Sequence, residues 1–237
     1  MKLQWLLLAG LLTVVGCSKK EIKIPVLFEK GIQEVNNHSQ VWIFFETVGQ
    51  DTLARVNRNN TISATHWIYH IDRRLPLQSF VHSLEFLIEK HAGSIHSEKG
   101  MHDYFSYSDT LAKKISYIAF DQTKYQTDSI LSKDYIRRHP ALYRDYHSIN
   151  LTFNPDNVLI NEGAFDKEGF KTLLAEFIDF SSTGRPTMLH LNFNNSLLYQ
   201  DYLYYKSLVN SLCNERILCN PIEFVFDQQK VPDCECK

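Results

Sequence analysis

The spacing of apolar residues between Ser148 and Asp227 constrains this chain more than anything else in it, because the period changes in an ordered way along the stretch. Ser148 to Phe153 alternates and then meets Asn154-Pro155-Asp156-Asn157, residues that build tight turns through a fixed φ and side-chain to backbone bonds. Val158 to Asn161 resumes as a strand, which predicts a hairpin. Past Glu162-Gly163, Asp166 is placed to cap a helix whose Phe170, Leu173, Leu174, Phe177 and Ile178 form one apolar face. A polar turn then leads into Thr187 to Phe193, where Leu189, Leu191 and Phe193 alternate with His190 and Asn192. That alternation predicts a half-buried strand with His190 on its solvated side. From Leu198 to Leu212 the spacing is helical again, with Tyr202, Tyr205, Leu208 and Val209 on one side and Asn195 or Ser196 available as a cap. Ile222 to Asp227 closes the series as a strand. Two helices on one face of a mixed sheet bury all these stripes at once, so the expectation is an α+β fold whose C-terminal part is a ββαβαβ two-layer module.

This path, and most specifically Asn194-Asn195-Ser196-Leu197-Leu198-Tyr199 at the entry to the second helix, resembles the periplasmic domain of the ExbD/TolR family of Ton and Tol motor proteins. Asn194 stands where that family usually has Asp. The resemblance implies dimerisation and contact with TonB-like proteins or with peptidoglycan. It has one clear departure, since the family's membrane helix carries a carboxylate used in proton flow and no Asp or Glu occurs here before Glu21. A proton-conducting role is not expected.

The amino terminus gives an address. Met1-Lys2 is a positive start, Leu3 to Val15 an apolar run short for a membrane span, and Val14-Val15-Gly16-Cys17 a small-residue cleavage site ending in cysteine. That ending resembles the lipobox of bacterial lipoproteins, which implies cleavage before Cys17 and acylation of the new terminus. Several acyl chains, at about 0.8 kcal/mol per buried methylene, would hold the protein on a membrane durably. Ser18 after the cysteine implies, by the same resemblance, transit to the periplasmic face of the outer membrane. Residues 1–16 are then a signal peptide and 17–39 a lipidated tether.

Cysteine usage agrees with export. Beyond Cys17, the chain has Cys213, Cys219, Cys234 and Cys236 near its end, an even number that reads as two disulfides in an oxidising compartment. Cys234 and Cys236 are too close in sequence to pair easily, so each is expected to reach back to Cys213 or Cys219. A four-thiolate metal site is the rival, although the spacing fits its usual pattern poorly.

Residues 40–122 read as a second α/β module. Val41 to Phe45 is a buried strand, Gly49-Gln50-Asp51 a turn into Thr52 to Val56, and Trp67 to Ile71 another strand. Pro76 opens a helix carrying Leu77, Phe80, Val81, Leu84, Leu87 and Ile88, and Ile115 to Phe120 ends the module. The order echoes the C-terminal half and suggests a degenerate copy of it. Residues 123–147, with helical pieces broken at Pro140, form a connector to the 148–237 module.

Candidate chemistry is sparse. His91, His96, His102 and Asp103 fall within a short polar segment and would supply metal ligands for a metal-dependent hydrolase, but their spacing matches no known zinc signature and a polar loop that merely contains histidines explains it as well. Lys133, Arg137, Arg138, His139 and Arg144 read as a wet helix face. Asn194, Tyr199 and Tyr204 are the candidate interaction surface, tyrosines being suited to interfaces. No glycine-rich phosphate loop, nucleophile elbow or H-E-x-x-H occurs, which lowers the odds of an enzyme without excluding one; no cofactor is expected, and a formal charge of −2 gives no reason to expect nucleic acid. The sequence therefore favours a lipid-anchored, non-enzymatic envelope protein whose partners are the membrane and an envelope protein or peptidoglycan, with a second copy of itself as a further partner that the family resemblance implies.

Overall fold

The computed structural model describes residues 21–231 apart from 94–99, 121–122, 168 and 182–183, and these form twelve strands and five α-helices in two mixed sheets, an α+β arrangement. The N-terminal sheet holds β1 (Val26–Leu27), β2 (His38–Val48), β3 (Asp51–Asn57), β4 (His66–Ile71), β5 (Asp103–Asp109) and β6 (Lys114–Ala119). Its order is β1-β5-β4-β2-β3, with β6 also paired to β5. Strands β1, β2, β4 and β5 run parallel, while β3 and β6 are hairpin partners of β2 and β5. After Pro76 a single 3-10 turn precedes α1 (Val81–Ala92), which buries Val81, Leu84 and Leu87 in the crossover from β4 to β5.

The C-terminal sheet has the order β10-β9-β8-β11-β12-β7. Its strands are β7 (Lys124–Gln126), β8 (His147–Phe153), β9 (Val158–Ile160), β10 (Gly163–Phe165), β11 (Thr187–Asn194) and β12 (Ile217–Phe226). The expected hairpin is β8–β9, turned where the Asn154 amide donates to the Asn157 carbonyl at 2.9 Å, and β10 adds a third antiparallel strand beside β9. Helix α4 (Phe170–Ser181) buries Phe170, Leu174 and Ile178 of its apolar stripe. Helix α5 (Tyr199–Asn210) follows β11. The rings of Phe170 and Tyr205 lie 5.6 and 4.5 Å from Phe153, which puts both helices on the same face of the sheet.

The opposite face is covered as well, and this changes the expected two layers into three. The connector folds into α2 (Ser132–Arg138) and α3 (Pro140–Tyr143), whose Tyr135 and Tyr143 rings meet Phe224 and His190 at 5.4 and 5.2 Å. β11 is therefore buried on both sides. Ser132 completes the cover through its backbone N–H and hydroxyl, which bond Asn192 and Asn150 at 2.7 Å each.

Helix α5 is shared between the halves. Tyr202 and Tyr205 pack on Phe193 and Phe153 of the C-terminal sheet, while Tyr199 and Tyr202 pack on Phe105 of the N-terminal one. The cap expected from Asn195 or Ser196 is replaced by the other half of the chain: Tyr199 and Gln200 donate their backbone N–H groups to the carbonyls of Leu75 and Arg73. One apolar cluster consequently runs through both sheets.

The two sheets follow one path up to a point. Hairpin β2–β3, then β4 beside β2, a helix, and β5 beside β4 corresponds to hairpin β8–β9, β11 beside β8, α5, and β12 beside β11. The N-terminal half has no helix at the place of α4. The tether expected through residue 39 is already bound at Lys23, whose carbonyl accepts from Arg73 N–H at 2.7 Å, and β1 lies within it. Cys17 lies outside the described residues.

Candidate functional site

The histidine segment is organised by one pair. His91, at the end of α1, and Asp103, at the start of β5, meet at 2.9 Å through Nδ1 and Oδ1, with side chains 4 and 6% exposed. The other ring nitrogen bonds the Thr65 carbonyl at 3.0 Å, and neither acceptor can donate, so both nitrogens carry protons. Burial pulls the imidazole pKa down, but the Asp103 hydrogen bond and charge, with the Thr65 and Ser63 carbonyls, outweigh it and raise the value overall. The ring stacks on Trp67 at 4.3 Å. His91 thus clamps α1 to β4 and β5 and has no lone pair for a metal. His102 stacks with His66 at 5.7 Å, and its N–H donates to His66 Nδ1. His96 lies outside the described residues, and among the described residues no three His, Cys, Asp or Glu side chains gather as metal ligands.

His190, expected on a solvated side, is fully buried because α2 and α3 cover that face of β11. Asn220 donates to its Nδ1 at 2.8 Å and its Nε2 reaches the Ser148 hydroxyl at 3.1 Å, an arrangement that suits a neutral ring. Burial accordingly pulls its pKa down to about 4.

A buried polar relay that the sequence reading missed lies where the halves join. Tyr125 Oη bonds Tyr202 Oη at 3.0 Å, and Tyr202 donates to Glu223 Oε2 at 2.7 Å. Glu223 Oε1 meets Lys206 Nζ, which also donates to Thr123 at 3.0 Å. Both charged side chains are 4% exposed and line a cavity of about 320 Å³ together with Asn210 and Asn220. The sequence held a signal for this pair, since Lys206 falls four residues after Tyr202 on the inward side of a helix and Glu223 sits between Ile222 and Phe224 in a strand.

The expected interaction surface divides. Tyr204 is 45% exposed and remains available. Tyr199 is fully buried between Phe80 and Phe105 and is corrected to a core residue, because α5 is covered on two sides. Asn194 turns inward on its own loop, where its Oδ1 accepts from the Ser196 N–H and hydroxyl and so takes over the turn-forming task of an Asp. The cysteines also differ from expectation. Cys213 and Cys219 are joined to each other, because the short turn from α5 into β12 brings their Cα atoms to 5.9 Å, and this rules out the four-thiolate site. Cys234 and Cys236 lie outside the described residues.

The outward face of the N-terminal sheet has a different character from the rest of the molecule. Residues at alternate positions put Trp42, His66, His70 and Tyr104 on one side of β2, β4 and β5. Trp42 stacks on His70 at 4.2 Å, and His66 and His102 both meet the Tyr104 ring edge-on. His38, Gln40 and Arg55 on the same face are exposed, whereas α1 and α5 pack on the other side. No helix among the described residues is long and apolar enough to cross a membrane. No family model, no curated protein and no solved structure matches this chain.

Proposed function

We propose that this is a lipid-anchored cell-envelope protein, exported, acylated at Cys17 and held at the periplasmic face of the outer membrane, whose folded body binds an envelope protein or a cell-wall component without transforming it. The address rests on the signal sequence and the Val-Val-Gly-Cys ending. The binding role rests on one observation, the outward sheet face on which half-exposed Trp42 and His66 lie against the buried rings of His70 and Tyr104, with His38, Gln40 and Arg55 exposed around them. Aromatic faces of this kind give contact area at little entropic cost and suit protein or glycan partners. The C-terminal module is read as ExbD/TolR-like on its path through the sheet, and the matching paths of the two sheets are read as an internal duplication in which the N-terminal copy lost one helix. Dimerisation goes with that reading.

Anchored protein extracted from membranes should retain its partner, and Trp42→Ala should release it while leaving the melting temperature within a few degrees. Equal capture by the Trp42→Ala protein would move the binding site elsewhere. The metal-hydrolase alternative has His91 against it, both of whose ring nitrogens are engaged.

A further inference from the structure

The four parallel strands β1, β2, β4 and β5 all end at one edge of the N-terminal sheet, so both hairpin turns, β2–β3 and β5–β6, lie at that end. The apolar side chains left in water there are unusual in being at the tips. Phe28 is 82% exposed, Leu111 65% and Val48 59%. Phe28 and Leu111 are neighbours, since Leu27 pairs with Asp109 and its carbonyl accepts from the Thr110 N–H at 3.1 Å. The tip is held in shape: Asp109 Oδ1 accepts from the N–H groups of Leu111 and Ala112 at 2.9 and 2.8 Å, and Lys113 takes a left-handed φ of 54°. Lys30 lies two residues after Phe28, beyond Glu29, and Lys113 and Lys114 lie just after Leu111, placing long cationic stems near these two tips, while the Val48 turn carries none. Such stems favour a lipid boundary, with the apolar part inward and the ammonium among headgroups.

The chain enters the fold beside the end of β4, short of these tips. Lys23 N–H donates to Asp72 and Lys23 accepts from Arg73, the two residues that follow β4. Lys23 lies six residue steps beyond Cys17. At full extension they reach roughly 20 Å. The docked strand from Lys23 to Phe28 advances roughly 16 Å toward the tips. A membrane anchor at Cys17 can therefore lie in the plane of Phe28 and Leu111, and it cannot let the body drift far from that plane.

We infer that this end of the N-terminal sheet rests on the bilayer that holds Cys17, with Phe28, Leu111 and Val48 entering the headgroup boundary. This inference depends on acylation of Cys17. It stands the outward aromatic face upright on the membrane, open to a partner in the periplasm.

The test uses the acylated full-length chain, purified from bacterial membranes and reconstituted in vesicles of phosphatidylethanolamine and phosphatidylglycerol whose acyl chains are brominated. Tryptophan is introduced as Phe28→Trp, Leu111→Trp or Phe180→Trp, the last at a residue of α4 that is 92% exposed. The unsubstituted chain gives the background from Trp42 and Trp67, and thermal melts confirm that each variant folds. The expected result is quenching at positions 28 and 111 at least twofold greater than at 180. Equal quenching at the three positions, with the diacylglyceryl group present on Cys17 by mass spectrometry, overturns the orientation and leaves the anchor intact. An unmodified Cys17 overturns the anchor and the orientation together.

Discussion

Replacing Lys206 by methionine tests how the two halves are joined. The substitution keeps most of the stem's volume but removes the ammonium that contacts Glu223 and Thr123. Glu223 is then left with Tyr202 as its remaining donor, in a site where its side chain is 4% exposed. Breaking a buried pair in this way costs about 3–5 kcal/mol, because the surviving charge has no counterion and little water. For a chain of this size that corresponds to a fall in Tm of roughly 6–20 °C. Lys206→Met with Glu223→Gln should recover at least about 2 kcal/mol of the loss, since the neutral amide can still accept from Tyr202 and no charge is stranded. Guanidinium titrations followed by far-UV circular dichroism on the wild type, both single variants and the double variant close the cycle. A Lys206→Met protein destabilised by under about 1 kcal/mol, or a double variant whose loss equals the sum of the singles, would refute the claim that the pair is a coupled buried contact.

Stability should fall on both sides of neutrality. Burial holds His190 at about 4, and burial with the His38 charge does the same for His70, so the unfolded chain takes up protons first as pH drops from about 6.5 and each ring removes up to roughly 3 kcal/mol by pH ~4. His190→Asn should flatten part of that acid limb in denaturation curves taken from pH 4 to 7. His91 has the opposite sign: its raised value stabilises fully below about pH 6.5, and that share is lost as pH rises through the folded pKa, so His91→Gln should remove the alkaline limb. Converting Cys213 and Cys219 to serine, which opens a loop of sequence separation 6, should lower stability by about 2 kcal/mol, with the reduced wild type matching the variant. Tyr199→Phe should hold or raise stability by about 1 kcal/mol, because the buried hydroxyl has no hydrogen-bond partner among the described residues; a loss above about 1 kcal/mol would mean that it has one. A fragment of residues 148–237 should melt without a cooperative transition, as it lacks the carbonyls that cap α5 and the Phe105 side of its packing.

What the sequence made legible is what local spacing encodes. The stripe Phe170, Leu174 and Ile178 predicted α4, and the turn at Asn154 to Asn157 predicted the β8–β9 hairpin, because each signal sits within a few residues of the structure it specifies. Elements defined by distant partners were not legible. β7 is three residues inside the connector and exists as a strand because Ile222, Glu223 and Phe224 pair with it. β5 was hidden by serines at 106 and 108, yet Ser106 is buried by its bonds to His70 and the Tyr69 carbonyl. The apolar alternation placed the last strand at Ile222 to Asp227, but β12 begins at Ile217 and passes Asn220-Pro221 by a bulge between the pairs Leu189–Cys219 and Leu191–Glu223. At the candidate sites the same limit applies. Alternation marked His190 as polar-side, and polar-side became buried because Tyr135 and Tyr143 arrive from another segment.

Helix α5 shows why the two halves cannot be read as beads on a string. Its sequence, Tyr199 to Asn210, carries too many polar groups for an ordinary core helix and too many buried residues for a surface one. Apart from the Tyr199 hydroxyl, its inward polar groups find distant counterparts: Gln200 makes a paired bond with the Val26 backbone, Ser207 donates to Glu29, and Lys206 and Tyr202 converge on Glu223. Gln200 and Ser207 reach the N-terminal segment and Tyr202 and Lys206 the C-terminal sheet, and none of these bonds is made within α5 itself. The segment Val26 to Glu29 that two of them grip is also the segment that follows the anchor proposed at Cys17. On the proposed acylation of Cys17, a pull from the anchor would reach the end of β4 through Lys23 and then α5 through Val26 and Glu29, so that both sheets would move with it as one body.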